Sequence, residues 1–193
     1  MSMKLTTGKR IAETSSKGNQ EKWREGGRWY KLDLFGYEGL AETIASRLLE
    51  HTNLGELGFS FVPYRMEQLE VHGCKRTGCS SPDFLREGEA ILTLAELFRK
   101  GVGPDWQGQA SRLPTLASRV RWMADTTRRL TGLDRFGEYL TALFEADMLF
   151  GNEDRHPNNI AVLRRGGGFA YCPFFDFGAG LLSNTRDFPL DVI

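Results

Sequence analysis

Apolar residues alternate with polar ones through the first part of the chain and recur at helical spacing through the second. Residues 28–34 (Arg28-Trp29-Tyr30-Lys31-Leu32-Asp33-Leu34) read as a strand, reached from a shorter one through the turn Glu25-Gly26-Gly27. Tyr37, Leu40, Ile44 and Leu48 form one apolar stripe and predict a helix over 37–51. Residues 59–64 and 68–72 alternate again and would complete a small sheet of four or five strands. A polar, glycine-containing stretch follows, and 74–80 is expected to be a hinge between an N-lobe (1–73) and a C-lobe (81–193).

Beyond it the pattern turns helical. Ser81-Pro82-Asp83 resembles a helix start and predicts a helix to about Lys100, ended by Gly101. A second helix is expected over 114–130, with Leu116, Val120, Met123 and Leu130 on one face, after a loop containing Trp106. A third, over 134–150, carries Phe136, Leu140, Leu143, Phe144 and Met148. Ile160-Ala161-Val162-Leu163, a turn at Gly166-Gly167-Gly168, and the apolar run from Phe169 read as a β-hairpin. The class is therefore α+β.

Composition narrows the picture by exclusion. A chain of 193 residues that is 40% hydrophobic and 26% charged can bury a real core. Formal net charge is zero, so no basic excess points to nucleic acid, although the arginines of 114–130 form a local basic patch that reads as a solvated face. No run reaches the length of a membrane span, and the first residues lack the apolar centre of a secretory signal. Three cysteines, Cys74, Cys79 and Cys172, are an odd, sparse set that suits free thiols in a reducing cytoplasm. His72, Cys74 and Cys79 lack an evident fourth metal ligand and read as a surface turn with incidental thiols.

The chemistry concentrates in residues 149–162. A helical apolar run gives way to Gly151-Asn152-Glu153-Asp154-Arg155-His156-Pro157-Asn158-Asn159 and then to a strand. Asp154 and Asn159 stand five positions apart, the spacing of a base carboxylate and a metal-binding amide in a phosphoryl-transfer loop. The hairpin then delivers Asp176-Phe177-Gly178, whose aspartate is suited to hold a metal ion. Aspartates also favour turns, but the ordered combination of loop, hairpin and triplet is far more specific than either aspartate alone. Asp147, inside the apolar run, is a candidate brace for 151–156.

The first part of the chain supplies candidate phosphate ligands. Lys31 lies among apolar strand residues, either as an edge lysine in solvent or as the cation that holds nucleotide phosphates. Its partner would be Glu42, beside the small residues Ala41 and Ala45, with Glu38 in reserve because a first-turn carboxylate can simply complement the helix dipole. The segment 15–22 is small, polar and able to present backbone N–H groups to phosphates, without the Walker spacing.

These residues together resemble the HipA-like branch of the protein-kinase-like superfamily. The carriers are Ser15-x-x-Gly18-x-Gln20-x-Lys22, Lys31, the stretch 152–159 and Asp176-Phe177-Gly178, spanning roughly residues 12–183. The Asp-Arg-His order is also similar to that of phosphatidylinositol kinases. The resemblance implies a bilobal kinase-like fold: a small antiparallel-sheet N-lobe with one helix, and a mainly helical C-lobe bearing the catalytic-loop hairpin. With about 17 residues after Asp176, the C-lobe is expected to be truncated.

It further implies transfer of the γ-phosphoryl of ATP, with Mg²⁺, to a protein Ser or Thr hydroxyl, Tyr being a further option. Asp154 would orient the hydroxyl, Asn159 and Asp176 would hold Mg²⁺, and Lys31, oriented by Glu42, would hold phosphates. Ser15, Ser16, Gly18, Gln20 and Lys22 would cover the phosphates, with self-phosphorylation at Ser15 or Ser16. The implied partners are a protein substrate and an antitoxin-type regulator. The competing expectations are a small-molecule or lipid kinase on the same fold, and a non-catalytic nucleotide- or antitoxin-binding module.

Overall fold

The computed structural model describes residues 3–4 and 20–189, so Ser15, Ser16 and Gly18 lie outside the described residues. The chain forms two compact units. The first comprises the described residues of Met1–Phe84, Asp147–Asp154 and Phe175–Ile193, and the second comprises Leu85–Ala146 and Arg155–Phe174. Among the described residues, no helix is long and apolar enough to cross a membrane.

The first unit is built on a five-stranded sheet of β1 (Met3–Lys4), β2 (Lys22–Glu25), β3 (Arg28–Leu32), β4 (Arg65–Val71) and β5 (Cys74–Pro82), in the order β1-β4-β5-β3-β2. All its pairings are antiparallel except β1 with β4. Gly26 and Gly27, both at positive φ, make the two-residue turn between β2 and β3. His72 and Gly73 do the same between β4 and β5. Trp23, Tyr30, Leu32, Leu69 and Val71 form the core on one face. Strand alternation sends Lys31 and its register partner Cys79 to the other, where Val62, Tyr64 and Cys79 pack with Phe84 and Phe175.

Residues 74–80, expected to be a hinge, are instead most of β5, which lies between β4 and β3. Their small and polar side chains reflect close approach rather than a linker: a Cβ on Gly78 would fall 2.1 Å from the Lys31 carbonyl oxygen. Cys79 is accordingly buried, not part of a surface turn, while Cys74 is exposed. Residues 59–64 form no strand of this sheet, although Phe59, Val62 and Tyr64 are buried.

Helix α1 (Glu38–Leu49) packs on β4 and β5 with a face that its apolar pattern did not predict. Gly39, Ala41, Glu42, Ala45, Ser46 and Leu49 are buried, while Leu40, Ile44 and Leu48 stay 37–47% exposed. The reason is distance. A Cβ on Gly39 would lie 2.6 Å from the Gly78 carbonyl carbon, so at this crossing helix and sheet backbones meet with no room for a side chain.

The second unit contains a three-stranded antiparallel sheet, β6 (Ala90–Thr93), β7 (Ala161–Arg165) and β8 (Gly168–Tyr171), in that order. It also contains α2 (Leu94–Gly101), α3 (Trp106–Ser111), α4 (Leu116–Thr131) and most of α5 (Phe136–Phe150). The helix expected from Ser81 begins only at Leu94. Pro82 ends β5, residues 90–93 pair with β7, and Thr93 supplies the N-cap by accepting the Glu96 N–H. The Gly166-Gly167 turn closes the expected hairpin with both residues at positive φ. Phe98 meets Trp106 and Trp122 edge-on, and Tyr139 lies against Phe136, Tyr171 and Phe174. Leu116 and Met148, expected on apolar faces, are 76% and 85% exposed.

Candidate active site

Lys31 is the centre of the first unit's polar cluster. Its Nζ donates to Glu42 Oε1 at 2.7 Å and to Asp176 Oδ1 at 2.9 Å, and lies 5.2 Å from the centroid of the Tyr64 ring. Burial opposes the ammonium charge, but the carboxylates of Asp176 and Glu42 outweigh it and hold the Lys31 pKa well above the usual lysine range. For Glu42, burial pushes the pKa up and the Asp176 charge adds to this, against the stabilising pull of Lys31 and of the Phe177 N–H. That N–H donates to Glu42 Oε2 at 2.9 Å, so both oxygens of the carboxylate are engaged. Tyr64 and Cys79 beside it have their pKa values driven upward by burial.

The choice between Glu42 and Glu38 follows from what each carboxylate touches. Glu38 turns back and accepts the backbone N–H groups of Leu34, Phe35 and Gly36 at 2.6–3.3 Å. It caps the β3–α1 connection. Asp33, just past the end of the strand that carries Lys31, adds a second tie by accepting the Gly39 N–H at 2.6 Å. Glu42 stands one turn beyond Gly39 on the same helix face.

Asp176 reaches Lys31 from a left-handed backbone conformation, φ 67°, rare for a residue with a side chain. Its surroundings hold it there. Phe177 packs edge-on against Phe150 at the end of α5, and Leu181 donates its N–H to the Phe150 carbonyl at 2.7 Å. Asp147, 6% exposed, is tied to Asn152 at the start of the 151–156 loop. Its carbonyl accepts the Asn152 N–H at 2.8 Å, and its Oδ1 accepts from Asn152 Nδ2 at 2.7 Å. The Asn152 amide also lies 3.5 Å from the Asp176 carbonyl, so it links the start of the loop to Asp176-Phe177-Gly178. Sequence reasoning gave Asn152 no role. Its place one turn past the buried Asp147 was the available signal. Asp154 is an exposed residue of this unit.

Within the second unit, the rest of the loop folds on itself and onto α2. Arg155 Nη1 donates to the Asn159 carbonyl at 2.8 Å, and Asn159 donates its N–H to the His156 carbonyl at 2.8 Å. His156 Nδ1 accepts from Asn158 N at 3.3 Å. The carbonyls of Pro157 and Ile160 accept the N–H groups of Ala95 and Leu94, at 3.0 and 2.8 Å, which fastens the loop to the first turn of α2. Asn159 is half-buried here.

Of the remaining expected ligands, Gln20 donates from Nε2 to the Leu32 carbonyl at 2.8 Å, and Lys22 sits in β2 opposite Lys31. The structure thus brings Lys31, Glu42 and Asp176 into direct contact in one unit, with Asp154 in the same unit and Asn159 in the other. Within the first unit, the Asp176 carboxylate is a hard oxygen donor of the kind Mg²⁺ binds, one or two protein oxygens at a time, together with phosphates and water.

No family model matches the chain. No curated protein matches it. Among solved structures it is similar to the Helicobacter pylori proinflammatory kinase CtkA, with a TM-score of 0.61, 17% sequence identity, and an alignment covering 86% of this chain and 54% of that one. This chain spans about half the length of that kinase. The likeness establishes a kinase-like fold, in agreement with the α+β, sheet-plus-helix organisation expected from the sequence.

Proposed function

We propose that this chain is an ATP- and Mg²⁺-dependent phosphotransferase of the HipA-like type, moving the γ-phosphoryl to a serine or threonine hydroxyl of a protein. One observation carries the reading: Lys31 is held between Glu42 and Asp176, with Phe177 bonded to the second oxygen of Glu42. A buried cation gripped by two carboxylates is, as a whole, no more stabilising than well-packed apolar side chains in its place. It is well suited to meet phosphate oxygens once a nucleotide arrives.

In this reading Lys31 binds the α- and β-phosphates and Glu42 fixes its ammonium. Asp176 and Asn159 provide oxygen donors for Mg²⁺, the role of Asn159 resting on its spacing from Asp154. Asp154 orients the acceptor hydroxyl and takes its proton. Ser15, Ser16 and Gly18, with Gln20 and Lys22, cover the phosphates. When bound, Mg²⁺ neutralises charge on the β- and γ-phosphates. The protein contributes position and electrostatic preorganisation. A cytoplasmic site of action, a protein substrate and an antitoxin-type regulator complete the proposal.

The test is incubation with γ-labelled ATP and Mg²⁺, read by intact mass and peptide mapping, with Asp176→Ala as the control. Protein-bound label that vanishes in the control supports the reading, and label at Ser15 or Ser16 supports its HipA-like form. Label in a small metabolite alone would reassign the acceptor. A thermal shift with Mg-ATP and no transfer to any acceptor would favour a non-catalytic nucleotide-binding module.

A further inference from the structure

The residues after Asp176-Phe177-Gly178 close a ring of hydrogen bonds that contains Glu42. Phe177 donates its N–H to Glu42, and Ser183, fully buried, donates its hydroxyl to the Gly178 carbonyl. The chain then crosses the connection between β3 and α1. Tyr37, the residue before α1, donates its N–H to the Ser183 carbonyl at 3.2 Å. Thr185 places both its N–H and its Oγ1 on the Phe35 carbonyl, at 3.2 and 2.6 Å. Gly36 pairs with Asn184 in an antiparallel bridge. A Cβ on Gly36 would lie 1.9 Å from the Ser183 carbonyl oxygen, so the crossing admits only glycine there. The Arg186 guanidinium covers the Phe35 ring at 4.3 Å. From Phe35 the ring returns through the first turn of α1 to Glu42.

We infer that Thr185 is a positioning residue: it fastens the crossing strap, residues 178–186, to the entrance of α1 and so holds Glu42 in its contact with Lys31. The strap does not relax into this path by local preference. Leu181 and Leu182 both have φ 55°, a region that side-chain-bearing residues seldom adopt. They are kept there by the bond from Leu181 N to the Phe150 carbonyl and by the Tyr37 hydroxyl on the Leu182 carbonyl. Nor is α1 anchored at its start by an N-cap side chain of its own, since Tyr37 makes no such bond. Its entrance is fixed by Glu38, by Asp33 and by the strap. Loss of the strap's hold lets α1 drift and separates Glu42 from Lys31. The catalytic consequence rests on the phosphotransferase reading of these residues, whereas the mechanical coupling does not.

Hydrogen–deuterium exchange on the full chain tests the coupling. In the wild type, the amides of Tyr37, Phe177 and Thr185 are expected to open together as denaturant is raised, as one cooperative unit. In Thr185→Val, which keeps the shape and removes the hydroxyl, amides of α1 are expected to exchange roughly three- to tenfold faster, while those of β7 and β8 are unchanged. Thr185→Ser is expected to restore wild-type exchange. Phosphoryl transfer by Thr185→Val is expected to lose kcat by a similar factor and to regain it in Thr185→Ser. Independent opening of Thr185 and Phe177 in the wild type, or unchanged α1 exchange in Thr185→Val, overturns the inference. Faster α1 exchange in Thr185→Val with no transfer by the wild type upholds the coupling and removes the phosphotransferase reading instead.

Discussion

Phe177 donates its backbone N–H to Glu42 Oε2 at 2.9 Å, so the residue after Asp176 grips the same carboxylate that grips Lys31. Three of the residues that the proposed chemistry needs, Lys31, Glu42 and Asp176, are thereby interlocked. A change at Glu42 acts on Lys31 and on Asp176-Phe177-Gly178 together.

Glu42→Gln is expected to remove most phosphoryl transfer, about tenfold or more in kcat/KM, because the amide keeps the shape but loses the charge that orients Lys31. Glu38→Gln is expected to behave differently. It weakens a carboxylate cap on three backbone N–H groups, costing about 1–2 kcal/mol of stability, and lowers transfer per folded molecule less than Glu42→Gln does, since it loosens the α1 entrance but keeps the Glu42 charge. Initial rates and urea unfolding of the two variants separate the roles. Equal loss of activity in both would contradict the assignment.

The pH dependence of stability follows from the directions of the two shifts. The pKa of Lys31 is raised, so its stabilising contribution is fully present below the unfolded value of about 10.4 and is lost only as pH rises through the higher folded value. The raised pKa of Glu42 has the opposite sense: its ionised form costs stability, and that cost fades as pH falls through the raised value. The wild type is therefore expected to exceed Lys31→Met in stability by a constant margin from about pH 7 to about pH 10, narrowing only above that. Urea midpoints across this range check it, and the absence of any margin would show Lys31 to be an ordinary solvated lysine, with the same pKa folded and unfolded.

Gly78→Ala is expected to be among the most damaging single-methyl changes in the sheet. The added carbon would meet the Lys31 carbonyl at 2.1 Å, in backbone that cannot yield without moving β3 or β5. A cost of about 1–3 kcal/mol or more is expected, together with weaker Mg-ATP binding because the strand under Lys31 shifts. Thermal melts with and without Mg-ATP measure both effects. A variant with wild-type stability and nucleotide response would contradict the close packing.

Asp154→Asn is expected to leave Mg-ATP binding nearly intact and to remove most phosphoryl transfer, since an amide can neither take the hydroxyl proton nor orient it as an anion does. Nucleotide titration by calorimetry, beside labelled transfer, separates the two. Full transfer in the variant would end the proposed role of Asp154.

The sequence by itself determined the ingredients. Strand alternation around Lys31, the spacing of Asp154 and Asn159, the glycine turn and Asp176-Phe177-Gly178 were legible because they are local: each depends on backbone period or turn chemistry within a few residues. The paired strands 22–25 and 28–32, the helices near 38–49, 116–131 and 136–150, and the hairpin could be read for the same reason. What only the tertiary structure decided depends on which surfaces meet. Residues 74–80 look like a polar linker, yet glycine and serine are there because β5 must pass close to Lys31 and α1. The apolar stripe of α1 lies outward because the small residues Gly39, Ala41 and Ala45 let the helix lie close against the sheet. The contacts of Glu42 with Lys31 and Phe177, and the strap that ties Thr185 to Phe35, join residues 11 to 150 positions apart. No local pattern encodes such contacts. They exist only once packing at close range has brought the elements together.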